Sequence, residues 1–162
     1  MRVETYRPRL HFVELKHTDD RALVVEFNHF LLVAEAPLSS ENGELIIWAA
    51  QQLAPGKLIN YFVAGHHPHY LGGLRPFVQR GATVLVGPGD EAYVRYFAAA
   101  PHTLRPDSLQ RPPGPCRSKK YPIAKQDDYR RAVRDADFLH RRPVGPHRGL
   151  PALLLPQRTP SV

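Results

Sequence analysis

The segment Tyr61–Leu74, YFVAGHHPHYLGGL, decides the fold class of this chain. It begins as an apolar strand, continues with three histidines within four positions, and ends with a Gly-Gly pair that opens a helix. The end of a buried strand is a rigid place from which to present metal ligands, and neutral imidazoles are good ligands for zinc. Glycines after such ligands let the backbone turn sharply. The segment therefore predicts a metal-binding loop at Gly65–Gly73.

Before this loop, the spacing of apolar residues predicts several strands and one helix. The expected strands are Leu10–Leu15, Ala22–Phe27, Phe30–Ala34 and Leu58–Ala64, of which the second and third form a hairpin. Gly43–Leu53, between the last two strands, predicts a helix. The predicted buried face of this helix consists of Leu45, Ile46, Ala49 and Leu53.

After the loop, strands and helices continue to alternate up to about residue 100. Leu74–Arg80 predicts a helix that ends at Gly81, and Ala82–Val86 predicts a buried strand. Asp90 is placed to cap a further helix that runs to about Ala100. Such alternation is typical of βαβ units, so the predicted fold class is α/β.

The composition of the chain changes near Pro101. Residues 1–100 contain 9 Lys/Arg and 10 Asp/Glu, whereas residues 101–162 contain 13 and 5, and 11 of the 17 prolines lie in this second part. We therefore expect a folded domain at 1–110 and an irregular, basic, Pro-rich segment at 111–162. Within it, a helix is predicted at Asp127–Leu139 and a short strand at Leu150–Leu155. Because its basic residues are interspersed with acidic ones, this segment is expected to be solvated rather than to bind nucleic acid.

The remaining composition predicts a soluble cytoplasmic protein with no membrane partner. The single cysteine, Cys116, excludes a disulfide within the chain and is interpreted as an unreactive loop thiol. The first residues lack the apolar run of a secretory signal, and no stretch approaches the roughly 18 apolar residues of a membrane span.

The histidine loop resembles the signature of the metallo-β-lactamase superfamily, His-x-His-x-Asp-His-x-Gly-Gly at the end of a buried strand. The resemblance covers about residues 10–110 and includes Val33–Pro37, where the family usually has an acidic residue after an apolar strand, here Glu35. It implies the first half of an αββα sandwich, zinc as the metal, and metal-assisted hydrolysis of a small-molecule substrate. Glu35 is then interpreted either as an acid that orients the loop or as a surface carboxylate.

The loop departs from this signature at three of its four ligand positions. With Gly72-Gly73 aligned, the first histidine falls on Gly65, the second on His67, the aspartate on His69 and the last histidine on Tyr70. Tyrosine ligates zinc poorly at neutral pH, because a phenol ionises near pH 10. His67 is thus the surest metal ligand, and His69 and His66 are candidate replacements for the missing ones.

A fourth candidate ligand comes from the C-terminal segment. Val144–Leu150, which contains His147, resembles the family segment that bears a later metal-binding histidine, but no bridging aspartate follows it. The segment 111–162 is therefore expected to be a remnant of the second half of the sandwich or to have a different origin.

Two functions follow from these features. The first is a metallo-hydrolase-like protein with a degenerate zinc-binding loop, and the alternative is a non-catalytic remnant or binding module that retains the fold. If the second half of the sandwich is missing, the inner face of the first sheet stays open and favours homo-oligomers. The residues expected on that open face are Val24, Leu32, Ile59, Phe62 and Val84.

Overall fold

A computed structural model describes residues 1–104 and 106–107, together with the backbone of residues 123–125. Seven strands form one sheet: β1 Arg2–Arg7, β2 Leu10–Leu15, β3 Asp20–Glu26, β4 Phe30–Ala34, β5 Leu58–Val63, β6 Thr83–Val86 and β7 Ile123–Lys125. Four helices accompany them: α1 Ser40–Leu53, α2 Pro68–Leu71, α3 Leu74–Gln79 and α4 Glu91–Ala99. None of the helices in this part of the chain has the length and apolar character that crossing a bilayer requires.

The order of the strands in the sheet is their order in the chain. Strands β1 to β4 form an antiparallel meander, and β4 to β7 are parallel to one another. Helix α1 connects β4 to β5, and α2 and α3 connect β5 to β6, as in βαβ units. The predicted α/β fold class is confirmed, and the predicted strands β2 and β4 have the bounds expected from the sequence.

One face of the sheet, which we call the helix-side face, packs against α1, α3 and α4. Its buried cluster includes Val24, Val33, Phe62 and Val84 from the strands, and the ring of Phe77 from α3 packs tilted against Phe62 with a centroid distance of 4.6 Å. Burying such side chains stabilises the fold by roughly 1.5–3 kcal/mol each. This face therefore holds most of the core that the structure describes.

Helix α1 buries the predicted face except at Leu45, since Leu53 also packs half-buried against the helix-side cluster. Ile47 and Ala50 are buried together with the expected Ile46 and Ala49, whereas Leu45 is 41% exposed. The helix begins at Ser40 and places Gly43 directly against the backbone of the histidine loop, which sets its rotation. Leu45 consequently points away from the sheet, on the side of the exposed Trp48.

The other face of the sheet, which we call the second face, has its own smaller apolar cluster. Its buried members are Phe27, Leu32 and Leu85, with the half-buried Val25, Phe30, Tyr61 and Val63 packed against them. Of the residues expected on this inner face, only Leu32 lies there.

The expected assignment of Val24, Phe62 and Val84 to the open face is wrong, because alternate residues of a strand point to opposite faces and these three lie under the helices. Ile59 also packs against the helix-side cluster. Leu31 pairs with Ile59 but Leu32 pairs with Tyr61, so a β-bulge shifts the register by one residue between them.

Three elements were not expected from the sequence. Strand β1 is exposed along most of its length and lacks an apolar alternation, and α2 has only four residues. Strand β7 falls in the segment predicted to be irregular and extends the sheet next to β6. The predicted elements Asp127–Leu139 and Leu150–Leu155 lie outside the described residues.

Candidate metal centre

The histidine loop lies at the edge of the sheet where the parallel strands β4, β5 and β6 have their carboxyl ends. Glu35 follows β4, Gly65 and the three histidines follow β5, and the turn Gly87–Asp90 follows β6. In open α/β sheets, ligands bind in the crevice at this edge. The predicted metal-binding loop is therefore placed where a site in this fold class is expected.

Backbone hydrogen bonds fix the loop to the segment after β4. The Ala36 N–H donates to the Tyr70 carbonyl at 3.0 Å, and the Leu38 N–H donates to the His69 carbonyl at 2.7 Å. The Gly73 N–H in turn donates to the Ala36 carbonyl at 2.8 Å. These main-chain contacts fix the path of the loop against the segment after β4.

The Gly-Gly pair of the loop is required by close backbone packing. A Cβ on Gly72 would overlap the backbone of Leu38, and a Cβ on Gly73 would lie 2.9 Å from the Gly43 nitrogen in α1. Leu38 itself has a φ of 70°, a backbone conformation that is uncommon for leucine. This Gly-Gly pair, which the family signature shares, is explained here by packing alone.

The side chain of His66 points towards the turn after β6. Its Nδ1 lies 2.6 Å from Asp90 Oδ1, and its ring centroid lies 5.8 Å from that of Tyr93. The imidazole is largely exposed, at 79%. Asp90 is the N-cap residue of α4, as expected, but its carboxylate makes no capping hydrogen bond to the helix.

The side chain of His69 is bonded to a carboxylate on a different part of the molecule. Its Nε2 lies 3.0 Å from Oδ1 of Asp20, the first residue of β3. This hydrogen bond is the main cause that lowers the pKa of Asp20 from its ordinary value; the bond from Thr18 and the nearby charges of His69 and His17 act in the same direction, against desolvation. The pair joins the loop to the turn between β2 and β3.

His67, the one ligand position that matches the signature, is exposed and precedes α2. It is the N-cap residue of that short helix but makes no side-chain capping bond, and its ring approaches Tyr70 edge-on at 6.1 Å. Among residues 1–104 and 106–107, no three His, Cys, Asp or Glu side chains form a group that could hold a metal ion. His147 lies outside the described residues, so its role stays a prediction.

Glu35 occupies the space of the missing first histidine. A Cβ built on Gly65 would lie 2.8 Å from Glu35 Oε1, so the carboxylate fills the position from which that histidine would project. The N–H of Glu35 donates to the Val63 carbonyl at 3.0 Å, and its φ is 65°, a strained value for a non-glycine residue. The described donor set therefore does not fit the two-metal centre that the family resemblance implies.

A buried ion pair that the sequence did not suggest supports the loop from the helix side. Arg75 and Asp107 have side chains only 4% and 5% exposed, and Arg75 donates to both carboxylate oxygens of Asp107. Arg75 Nη1 also donates to the carbonyls of Ala98 and Ala100 at 2.6 and 2.8 Å, and the Ser40 hydroxyl donates to Asp107 at 3.0 Å. The pair thereby joins the start of α1, the helix α3 and the end of α4.

Comparison with solved structures finds partial similarity to three hydrolase-type proteins. An inverting sec-alkylsulfatase from Pseudomonas sp. has a TM-score of 0.46 and 21% identity, over 57% of this chain and 16% of that one. A metallo-β-lactamase exposed to ceftazidime has a TM-score of 0.47 and 12% identity, over 59% and 47%. A metallo-β-lactamase from Pontibacter korlensis has a TM-score of 0.45 and 15% identity, over 54% and 43%.

This chain spans less than half the length of each of these three proteins. No protein-family model matches it, and no curated protein matches it. Two of the three structures are metallo-β-lactamases, and all three TM-scores lie below 0.5.

Proposed function

We propose that this chain is a metallo-hydrolase-like domain with a degenerate zinc-binding loop, which serves as a binding module rather than as a two-metal hydrolase. One observation carries the proposal: His66 and His69 are each hydrogen-bonded to a carboxylate, Asp90 and Asp20, on different parts of the sheet edge. Imidazoles held in this way do not converge on a common ion.

The chemistry of two-metal hydrolysis supports the same conclusion. Such sites hold two ions about 3.5–4 Å apart, and the ions activate the attacking water and stabilise the leaving oxygen. Each ion needs three or more protein ligands that point to one place. Of the four signature positions, only His67 keeps its ligand, and Gly65 has no side chain that could donate.

Metal-assisted hydrolysis of a small-molecule substrate at a single ion is a second candidate function. It is favoured by Glu35, whose carboxylate lies where the first histidine of the signature would be. Carboxylate oxygens are also zinc ligands, so Glu35 and His67 would supply two of the three or more protein ligands that such an ion needs. A zinc ion held with the help of Glu35 and His67 would supply a water of lowered pKa.

Zinc binding by the full chain at neutral pH distinguishes the two functions. The binding-module proposal predicts clearly substoichiometric zinc after equilibration and removal of free metal, with no difference between the wild type and His67→Ala. Zinc near one ion per chain that is lost in both His67→Ala and Glu35→Gln would contradict it and support single-metal hydrolysis. His29→Ala is a matched control, because His29 is exposed and lies in the turn between β3 and β4.

A further inference from the structure

The second face of the sheet contains a groove that ends at the same edge of the sheet as the histidine loop. The groove has a volume of about 480 Å³, and its lining includes Leu23 and Val25 of β3, Leu32 of β4, Val63 of β5 and Leu85 of β6. Leu32 and Leu85 are buried and the other three are half-buried, so together they form the floor and walls of a concave site. Sites for small molecules usually have volumes of about 300–1,000 Å³ and mostly apolar linings.

One end of the groove lies at the carboxyl ends of three parallel strands. Its lining there includes Ala34, the last residue of β4, Ala64, which follows β5, and Gly87 and Pro88, which follow β6. Glu35 comes directly after Ala34 in the chain. The apolar groove therefore opens onto the polar edge of the sheet, where ligands bind in open α/β folds.

The carboxylate of Glu35 lies at this open end of the groove. Its Oε1 is 2.8 Å from the position of a Cβ on Gly65, the residue that follows Ala64. Glu35 is half-buried, and among the described residues its carboxylate has no hydrogen-bond or ion-pair partner. Its φ of 65° is a strained conformation of the kind that clusters at binding and catalytic sites.

The charges at the open end of the groove favour a cationic ligand. The segments 35–38, 65–67 and 87–90, which follow β4, β5 and β6, contain the carboxylates of Glu35 and Asp90 and no Lys or Arg. Asp90 is already bonded to His66, so Glu35 is the carboxylate that remains for a ligand. An ammonium group would form a charge-assisted hydrogen bond with it, whereas an anionic group would be repelled.

We therefore propose that the groove and Glu35 form a binding site for an amphipathic amine in its protonated form. The apolar chain of the ligand lies in the groove between β3 and β6, and its ammonium group donates to the Glu35 carboxylate. The lining that the structure describes consists of apolar side chains and Gly87, so the body of the ligand is uncharged and apolar. Such a site rests on the binding function proposed above, because a zinc ion held by Glu35 would occupy the same carboxylate.

NMR titration of the isotope-labelled full chain with hexylammonium, hexanol and hexanoate at neutral pH tests this site. The three probes share an apolar chain and differ in the charge of the head group. We expect hexylammonium to bind most tightly and hexanoate most weakly, with shifts at the amides of Glu35, Gly65 and the groove strands. Each methylene added to the alkylammonium should tighten binding by about fourfold, the value for burial of a methylene group in an apolar site.

Two variants separate the contribution of the charge from that of the groove. Glu35→Gln should weaken hexylammonium binding by about tenfold and leave hexanol binding unchanged, because only a hydrogen bond to a charged group is lost. Ala34→Leu, which places a larger side chain in the groove, should weaken both probes by similar factors.

Glu4→Gln is the matched control for the loss of charge. Glu4 is half-buried on β1, which lies two strand spacings, or about 10 Å, from β3, the nearest strand of the groove. Its variant loses the same charge as Glu35→Gln and should bind hexylammonium as tightly as the wild type does.

Several outcomes would overturn the amine site. They are no binding of hexylammonium, equal affinity for hexylammonium and hexanoate, shifts outside the groove, and the same affinity in Glu35→Gln as in Glu4→Gln. The zinc measurement described above distinguishes this failure from a failure of the proposed function. Substoichiometric zinc without hexylammonium binding overturns the amine site alone, whereas one zinc ion per chain that is lost in Glu35→Gln overturns the binding-module function.

Discussion

The helix-side face of the sheet and the exposed side chains of the histidine loop, His66 and His69, differ in how they are held in place. On the helix side, Phe62 is fully buried, Arg75 and Asp107 form a buried ion pair, and Gly72 packs directly on backbone. In the loop, His66 and His69 are bonded to Asp90 and Asp20 in partly exposed pairs. The free energy of folding therefore comes mainly from the helix side, and the exposed histidines of the loop can be replaced with little effect on stability.

The largest difference is expected between two adjacent residues of β5 that point to opposite faces. Phe62→Ala should lower the free energy of unfolding by about 3–5 kcal/mol, because it leaves a cavity against Phe77 in the helix-side cluster. Val63→Ala, on the second face, should cost only about 1 kcal/mol. Urea unfolding of both variants provides the measurement, and equal losses would remove the distinction between the two faces.

The buried ion pair should rank next. Asp107→Ala removes the carboxylate partner of the buried Arg75 guanidinium and leaves the carbonyls of Ala98 and Ala100 as its described acceptors, so we expect a loss of about 3 kcal/mol. Glu44→Ala, which breaks the partly exposed pair with Arg80, should cost less than about 1 kcal/mol. A small loss in Asp107→Ala would show that the helices do not depend on this pair.

The glycines of the loop allow a finer comparison. Gly72→Ala should cost about 2 kcal/mol or more, because its Cβ overlaps the backbone of Leu38, which cannot move without breaking the bond to His69. Gly65→Ala should cost less than about 1 kcal/mol, since the contact is the flexible end of the Glu35 side chain. Thermal unfolding separates the two, and a larger loss in Gly65→Ala would contradict the packing explanation.

The smallest effect is expected for the pair His69–Asp20, which joins the histidine loop to the start of β3. The pKa of Asp20 is lowered in the folded state, so the pair stabilises the protein above the ordinary pKa of aspartate and loses this contribution as the pH falls through the folded value. His69→Gln should therefore lower stability by less than about 1 kcal/mol at neutral pH and by nothing in strong acid. Unfolding of both proteins as a function of pH shows whether the two curves converge at low pH.

The fold was predictable where the sequence pattern is local, and the site was not. Strands β2 and β4 follow from alternating or continuous apolar residues, and Gly81 ends α3 with a φ of 83° as expected. The bulge between Ile59 and Tyr61, which decides the face to which each side chain of β5 points, has no signal in the pattern of apolar residues.

The partners of the histidines were missed for a similar reason. Asp90 lies 24 positions from His66, and Asp20 lies 49 positions from His69, so their proximity arises only when the strands are assembled. Glu35 was recognised as an acid near the loop from the resemblance, but its place beside Gly65 depends on a positive φ that the sequence does not indicate.

The strands lie in the sheet in the same order as in the chain, and this has a consequence for how the protein folds. Among the described strands, each of β2 to β7 hydrogen-bonds to the strand that precedes it in the chain, so each can pair once the connection from the previous strand has formed. The short connections of the β1–β4 meander cost little loop-closure entropy, whereas each parallel pair closes a longer connection and is expected to form later. The sheet can therefore grow vectorially, one strand at a time, as the polypeptide leaves the ribosome, with the β1–β4 meander as the template for the first parallel pair.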